Sequence, residues 1–340
     1  LKRSRLARCV TVREAFITIA EYGEFALIAA IQKVLPGNAG VIVGIGDDAA
    51  VLRAPDRRVV ATTDMLIEGR HFRREWSQPR EIGGKAAARN LADIAAMGAR
   101  PTALLVSFAG PGDLEVGWVL DLVAGIGDEA SAAGAAVAGG DTSSADVVML
   151  AVTALGDLAG TPAVTRAGAR PGDVVAVTGA LGSAAAGLAM LRAGLAPRDP
   201  GLEALIAAHR KPAPPYSAGP EAAALGATAM IDVSDGLIAD VGHIASASGV
   251  LIELQLAAIT DEPVAPRRAL ARAAESLGGD ADWQRWVLTG GDDHALVATF
   301  PAGATLPQRW AVIGQATQGQ GIVVDGRRWL GAGGWEHFLT

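Results

Sequence analysis

Five apolar runs in this chain end on a carboxylate, and that recurrence limits the folds open to it more than any other feature. "VIVGIGDD" runs into Asp47 and Asp48, "VVATTDM" into Asp64, "AVAGGDT" into Asp141, "AMIDVSDG" into Asp232 and Asp235, and "LTGGDD" into Asp292 and Asp293. Short runs rich in Val, Ile and Ala that stop at Gly or Asp read as buried strands. "GVIVGI" and "RRVVATTDM" are expected to be neighbours in one sheet.

Helical spacing fills the intervals between these runs. Phe25, Leu27, Ile28, Ile31 and Val34 predict a helix from Glu24 to Val34, stopped by Pro36-Gly37. Further helices are predicted from Arg80 through "EIGGKAAARNLADIAAM" to Gly98, from Leu114 to Ala133, from Ser183 to Ala193, and beyond Gly236. The strand and helix pattern restarts between Gly156 and Thr161, which puts a domain boundary near Gly160. Mixed elements on either side imply two α+β domains rather than one doubly wound sheet. "KPAPPYSAGP" is expected as a loop inside the second of them.

The acids define a chemistry as well as a punctuation. Nearly all are Asp, whose short side chain holds its carboxylate close to the backbone and fixes it for a hard cation. Asp93 stands in a helix among Leu91, Ile94, Ala95 and Met97, where a lone carboxylate needs a cation, a partner or an exposed face. One such acid means little, since Asp also caps helices and forms turns. The set, in a chain with five His and one Cys, points to an all-oxygen Mg²⁺ site.

Composition removes several other classes. The net charge is −7 and no basic stripe follows the first eight residues, which argues against nucleic acid. The single Cys9 excludes an internal disulfide or a cysteine zinc cluster and suits a cytoplasmic protein. "LKRSRLARCV" lacks the apolar core of a signal peptide, and no apolar run reaches the roughly 18 residues of a membrane span. A soluble protein with a flexible basic arm over residues 1–22 is expected.

Other candidates are weaker. "VTGALGSAAAGLAM" does not fit G-x-G-x-x-G, and no P-loop sequence occurs, so a nucleotide must bind by another route. His71 sits in a loop where its ring could meet a phosphate. His209, His243 and His337 lack metal spacing, and His243 reads as a packing residue on an apolar helix. Arg166, in "VTRAGARPGD", is as much a surface arginine as a phosphate ligand. Trp335, in "GAGGWEHF", suits either a stacking face for a flat ligand or a docked tail. No residue stands out as a covalent nucleophile.

Taken in order, "GIGDDAAV", "TTDMLIEGRHF", "NLADIAAMGA", "AGGDT", "VTRAGARPGD", "IDVSDGLIADVGHI" and "TGGDDHAL" resemble the thiamine-monophosphate kinase family of the aminoimidazole ribonucleotide synthetase superfamily. The resemblance spans Gly23 to Phe338. It implies the two-domain α+β fold of that superfamily: an ATP- and Mg-binding domain over 23–160, whose sheet forms a homodimer interface, and a C-terminal α+β domain over 161–340. It also implies ATP-dependent conversion of thiamine monophosphate to thiamine diphosphate with several Mg²⁺ ions.

By the same resemblance, Asp47, Thr62, Thr63, Asp64, Asp93, Asp141, Asp232 and Asp235 are metal ligands. Gly140, Asp141, Arg166 and Ser234 would contact ATP, and His71, Asp292 and Trp335 would contact the substrate. The usual "GGEDYEL" of the family reads "GGDDHAL" here, and Trp335 stands where some members carry Tyr. Another ATP-using enzyme of the superfamily, or a Mg-nucleotide-binding module without catalysis, are the alternatives.

Overall fold

The computed structural model describes residues 16–45, 49–279, 281–329 and 333–334. They divide into two compact units, one running up to Ile94 and resuming over Arg100–Ala159, the other formed by Ala95–Ala99 with the described residues from Gly160 onward. Asp47, Asp48, Cys9 and Trp335 lie outside the described residues.

The first unit runs α1 (Ile19–Tyr22), α2 (Glu24–Val34), β1 (Val41–Val43), β2 (Val51–Leu52), β3 (Val60–Ile67), α3 (Pro79–Ala96, whose last two residues join the second unit), β4 (Arg100–Gly110), α4 (Val116–Ala132), β5 (Ala136–Ser144) and β6 (Met149–Asp157). Its main sheet has the order β3-β6-β4-β5, with β4 and β5 parallel and the other pairs antiparallel. Side chains alternate across a strand, and so does burial here. Leu66, Leu150, Val152 and Ala154 are buried on one face, while Ala61, Thr63 and Met65 are exposed on the other. The buried face is the one that meets α3: Asp64, Leu66, Leu150 and Val152 line a narrow crevice with Ala86, Arg89 and Asn90.

Two expectations change. β1 does not neighbour β3; it pairs with β2 in a separate two-stranded ribbon. β3 instead forms an unbroken eight-residue ladder with β6, from Val60↔Gly156 to Ile67↔Met149, which the three residues of β1 cannot match. In addition, the last part of the expected arm is built into the unit. The Ile19 and Ala20 amides donate to Leu114 and Gly112, and Thr18 and Glu21 form a reciprocal capping box on α1.

The second unit continues with β7 (Val174–Thr178), α5 (Ser183–Arg192), α6 (Pro200–Arg210), α7 (Ala218–Ala224), β8 (Ala229–Asp232), α8 (Leu237–Ser248), β9 (Leu251–Leu254), α9 (Leu256–Ile259), α10 (Arg267–Ser276), α11 (Trp283–Thr289), β10 (Leu296–Phe300), β11 (Ala311–Thr317), β12 (Gly321–Val324) and β13 (Arg327–Arg328). These strands form one mixed sheet of order β13-β12-β9-β11-β7-β10-β8. Every residue of β8, the last strand of the sheet, and of β10 beside it is buried, Asp232 and Thr299 included.

One core cluster joins Ala176, Met230, Leu296, Ala298 and Phe300 to Ala218 and Ala222 of α7 and to Ala95 and Ala96. Small side chains let these elements approach closely, and the edge-to-face pair Phe300–Trp310 (5.3 Å, 77°) fills the wider end. The proline-rich stretch therefore ends sooner than expected, because its "AGP" already lies in α7. His243 also differs from expectation: it is exposed on α8, whereas His209 on α6 is buried. Among the described residues no helix is long and apolar enough to cross a membrane.

Candidate functional site

In the first unit the period of β3 sorts the candidates by face. Thr62 and Asp64 lie on the side that meets α3, where the Thr62 hydroxyl donates to Asp93 Oδ2 at 2.8 Å. Asp93 thus has a partner and faces the sheet. Arg89, one helical turn earlier, brings Nε to 3.5 Å from Asp64 Oδ2. Thr63 points the opposite way; its hydroxyl donates to Val152 O at 3.1 Å and lies 3.2 Å from the Thr153 hydroxyl.

Asp141 shares that outer face. The register runs Met65↔Ala151, Ala151↔Ser107 and Ser107↔Asp141, so three strand spacings, about 14 Å, separate Asp141 from β3. Within one chain it cannot share a cation with Asp64. Gly140 pairs with Val106, and a Cβ there would lie 1.9 Å from the Val106 carbonyl oxygen, so packing of β5 on β4 already requires glycine. His71 accepts from the Ile67 amide through Nδ1 at 3.0 Å, which places its ring proton on Nε2.

In the second unit the loop after β8 and the loop before β10 are laced together. Asp292 and His294 amides donate to Ser234 and Val233, and the Val233 amide donates to Ala295, each at 2.8 Å. Asp292 and His294 both take left-handed backbone, φ +67° and +53°, uncommon for residues with a side chain. This turns His294 inward, 1% exposed, with Nδ1 2.9 Å from Asp232 Oδ2 and Nε2 3.8 Å from Asp292 Oδ1. Nε2 has no hydrogen-bond partner among the described residues. Burial alone would push the ring's pKa down, but the bond to Asp232, with Asp292 beside it, raises it to about 9.

Asp235 and Ser234 are half-buried at the start of α8. Their loop is held from below by Asp240, whose Oδ2 accepts from the Asp235 and Gly236 amides at 3.1 and 3.0 Å. Burial, with Asp232 and Asp235 nearby, raises the Asp240 pKa to about 7. Asp293 turns away from this group and receives the Gly182 and Ala184 amides, at 2.6 and 2.8 Å, at the start of α5. Arg166 is exposed on the loop before β7.

The segment preceding Trp335 seats on the same acid loop. Gly333 O accepts from the Ala239 amide, and a Cβ on Gly334 would come within 2.3 Å of Asp235 O.

Sequence reasoning missed the supporting residues. Asp240 lies within "IDVSDGLIADVGHI" and Ser248 just beyond it, but neither ends a strand. Lys85, 1% exposed on α3, and Arg89 fall at four-residue intervals with Asp93, a spacing that could have revealed the stripe. Among the described residues no three His, Cys, Asp or Glu side chains already form a cage for a metal. The donors that are gathered are carboxylate and hydroxyl oxygens, the set that suits Mg²⁺.

An α+β fold with acids at strand ends and strand-to-helix loops defines a class, and residues 46–158 match the family model of AIR synthase related protein, N-terminal domain. The chain is 47% identical over 322 residues to a thiamine-monophosphate kinase of Mycobacterium tuberculosis, covering 94% of this chain and 93% of that one. It is similar to the solved thiamine-monophosphate kinase of Stenotrophomonas maltophilia K279a, with TM-score 0.78, 34% identity, and coverage of 90% and 98%. It is similar also to AaThiL complexed with AMPPCP and TMP, with TM-score 0.76, 33% identity, and coverage of 95% and 99%. The chain belongs to the thiamine-monophosphate kinase family.

Proposed function

We propose that the protein transfers the γ-phosphoryl group of ATP to thiamine monophosphate, giving thiamine diphosphate and ADP. Family membership supports the substrate pair, since an ATP analogue and TMP occupy the related AaThiL. The observation that carries the chemistry is the loop of Asp232 and Asp235, held by two amide hydrogen bonds to Asp240, a carboxyl whose pKa is raised to about 7 first by burial and then by these neighbouring acids. A group of acids maintained at such a cost suits a cation that arrives with substrate.

The acceptor is a phosphate monoester with a second pKa of about 6, so near neutrality it already presents an anionic oxygen and needs no base. What remains is to bring two polyanions together in line, a task of positioning and charge neutralisation. Thr62, Asp64 and Asp93 would hold Mg²⁺ in the first unit, together with Asp47. On the other face Thr63 and Asp141, about 14 Å or more apart, would serve separate ions, and Asp232 with Asp235 in the second unit would serve a further one. Bound there, Mg²⁺ would supply the positive charge that neutralises the two polyanionic substrates.

Arg166 adds a guanidinium for the nucleotide phosphates, and Gly140 and Ser234 approach the nucleotide through backbone and hydroxyl. His71 offers Nε2–H to the substrate phosphate. Asp292 and the indole of Trp335 suit the flat, cationic ring system of thiamine. Transfer is direct, without a phosphoenzyme.

The exposed sheet face around Thr63 and Met65 is assigned to a homodimer, and the reaction to the cytoplasm, where ATP is supplied. An assay with ATP, Mg²⁺ and either thiamine monophosphate or free thiamine tests the reading. Diphosphate formed only from the monophosphate supports it; product from neither would leave a nucleotide-binding module, and labelled protein after ATP treatment would overturn direct transfer.

A further inference from the structure

Helix α8 carries a polar side chain near each end that is used up on a neighbouring loop, and the two loops are the ones assigned above to metal and to nucleotide. Near its start, Asp240 holds the Asp235 and Gly236 amides. At its last residue the Ser248 hydroxyl donates to Arg166 O at 3.0 Å and accepts from the Gly168 and Ala169 amides, both at 3.1 Å. A hydroxyl has one proton and two lone pairs, so its full capacity is spent on this one loop.

The loop has few other freedoms. Thr165 O accepts from the Met230 amide of β8, and the Thr165 hydroxyl donates to Ala167 O. A Cβ on Gly168 would lie 2.1 Å from Thr228 O, so the backbone is pressed against the strand there. Arg166 projects from the middle of this clamp into solvent. From Asp240 to Ser248 the helix rises about 12 Å as a rigid element.

We propose that Ser248 is a positioning residue for the nucleotide: through α8 it fixes the Arg166 loop at a set distance from the Asp232–Asp235 loop, so that Arg166 meets the phosphates without a search. This rests on the reading of Arg166 as a nucleotide contact. Ser248 touches neither substrate and acts only through that loop.

The test compares Ser248→Ala, Ser248→Thr, Arg166→Ala and the double variant, by steady-state kinetics and by calorimetric binding of a non-hydrolysable ATP analogue. Ser248→Ala, which loses all three hydrogen bonds of the hydroxyl, should raise KM for ATP and weaken analogue binding roughly tenfold, the part of their worth that reaches Arg166. KM for thiamine monophosphate should stay within twofold of the parent, and Ser248→Thr should restore ATP binding. In the Arg166→Ala background, Ser248→Ala should add nothing further.

An unchanged KM for ATP in Ser248→Ala, beside a raised one in Arg166→Ala, overturns the positioning role and leaves the reading of Arg166 intact. Multiplicative effects in the double variant also overturn it, since Ser248 would then act by another route. If Arg166→Ala itself binds ATP as the parent does, the reading of Arg166 fails, and the proposal with it.

Discussion

At the scale of single residues, the acids of this chain divide by what their carboxylates do. Asp64 and Asp93 share the α3 side of the sheet with Thr62, and neither is spent on a helix end or a turn. Asp64→Asn and Asp93→Asn are expected to abolish turnover while the far-ultraviolet spectrum and melting temperature stay near the parent's; full activity in either would remove that residue from the metal site. Asp293 is a different kind of acid. Burial raises its pKa to about 7, against the opposing pull of the Ala184 and Gly182 amides. A carboxyl raised in the folded state contributes stability that is present below its unfolded pKa of about 4 and is lost as pH rises through about 7. Asp293→Asn removes this loss, so its stability relative to the parent should climb between about pH 4 and pH 7, by up to about 1.4 kcal/mol per pH unit, and be flat above. Urea unfolding of both proteins across that range, with chelator present, measures it. A flat difference would show that Asp293 does not titrate in the window.

At the scale of elements, glycine positions show how packing and function overlap. Gly140 was a candidate through the family resemblance, yet β4 already excludes a side chain there. Gly140→Val should cost more than about 3 kcal/mol in urea unfolding, by overpacking a paired strand. A loss of activity in that variant says nothing about ATP, whereas wild-type stability would contradict the close approach of β4 and β5. Long elements with a strong pattern were legible in the sequence: α2 begins and ends at the residues that its spacing and Pro36-Gly37 predict. The neighbours of β1 and β3 were not, because pairing is set by ladder length across residues far apart in sequence, which no local pattern encodes. The acids of the candidate site stood out in the sequence because strand ends and glycines mark most of them, Asp93 in α3 excepted. Asp240 and Ser248 were hidden because a helical acid or serine looks the same whether it faces water or holds a loop. His243 misled for a related reason: an apolar helix has a wet face too, and spacing alone did not place the ring on it.

At the scale of the whole molecule, the outer face of the first unit's sheet is the feature a lone chain explains least. Met65 is 47% exposed in the middle of a strand, beside exposed Thr63 and Ala61. If this face is the dimer contact, Met65→Glu should shift the protein toward the monomer mass in light scattering at micromolar concentration. A parent that is already monomeric would remove the assignment.

The division of the chain carries a consequence of another sort. Ala95 and Ala96 belong to the second unit's core although the chain then returns to the first unit for Arg100–Ala159. The ribosome therefore releases a piece of the second unit before the first is finished, and that piece must wait for roughly 130 residues of later synthesis before its partner β8 begins and roughly 200 before β10 does. A cut at Gly160 would leave those partners without it. Sequence order and building order differ here, and a gene fragment drawn at the obvious boundary would encode an incomplete core.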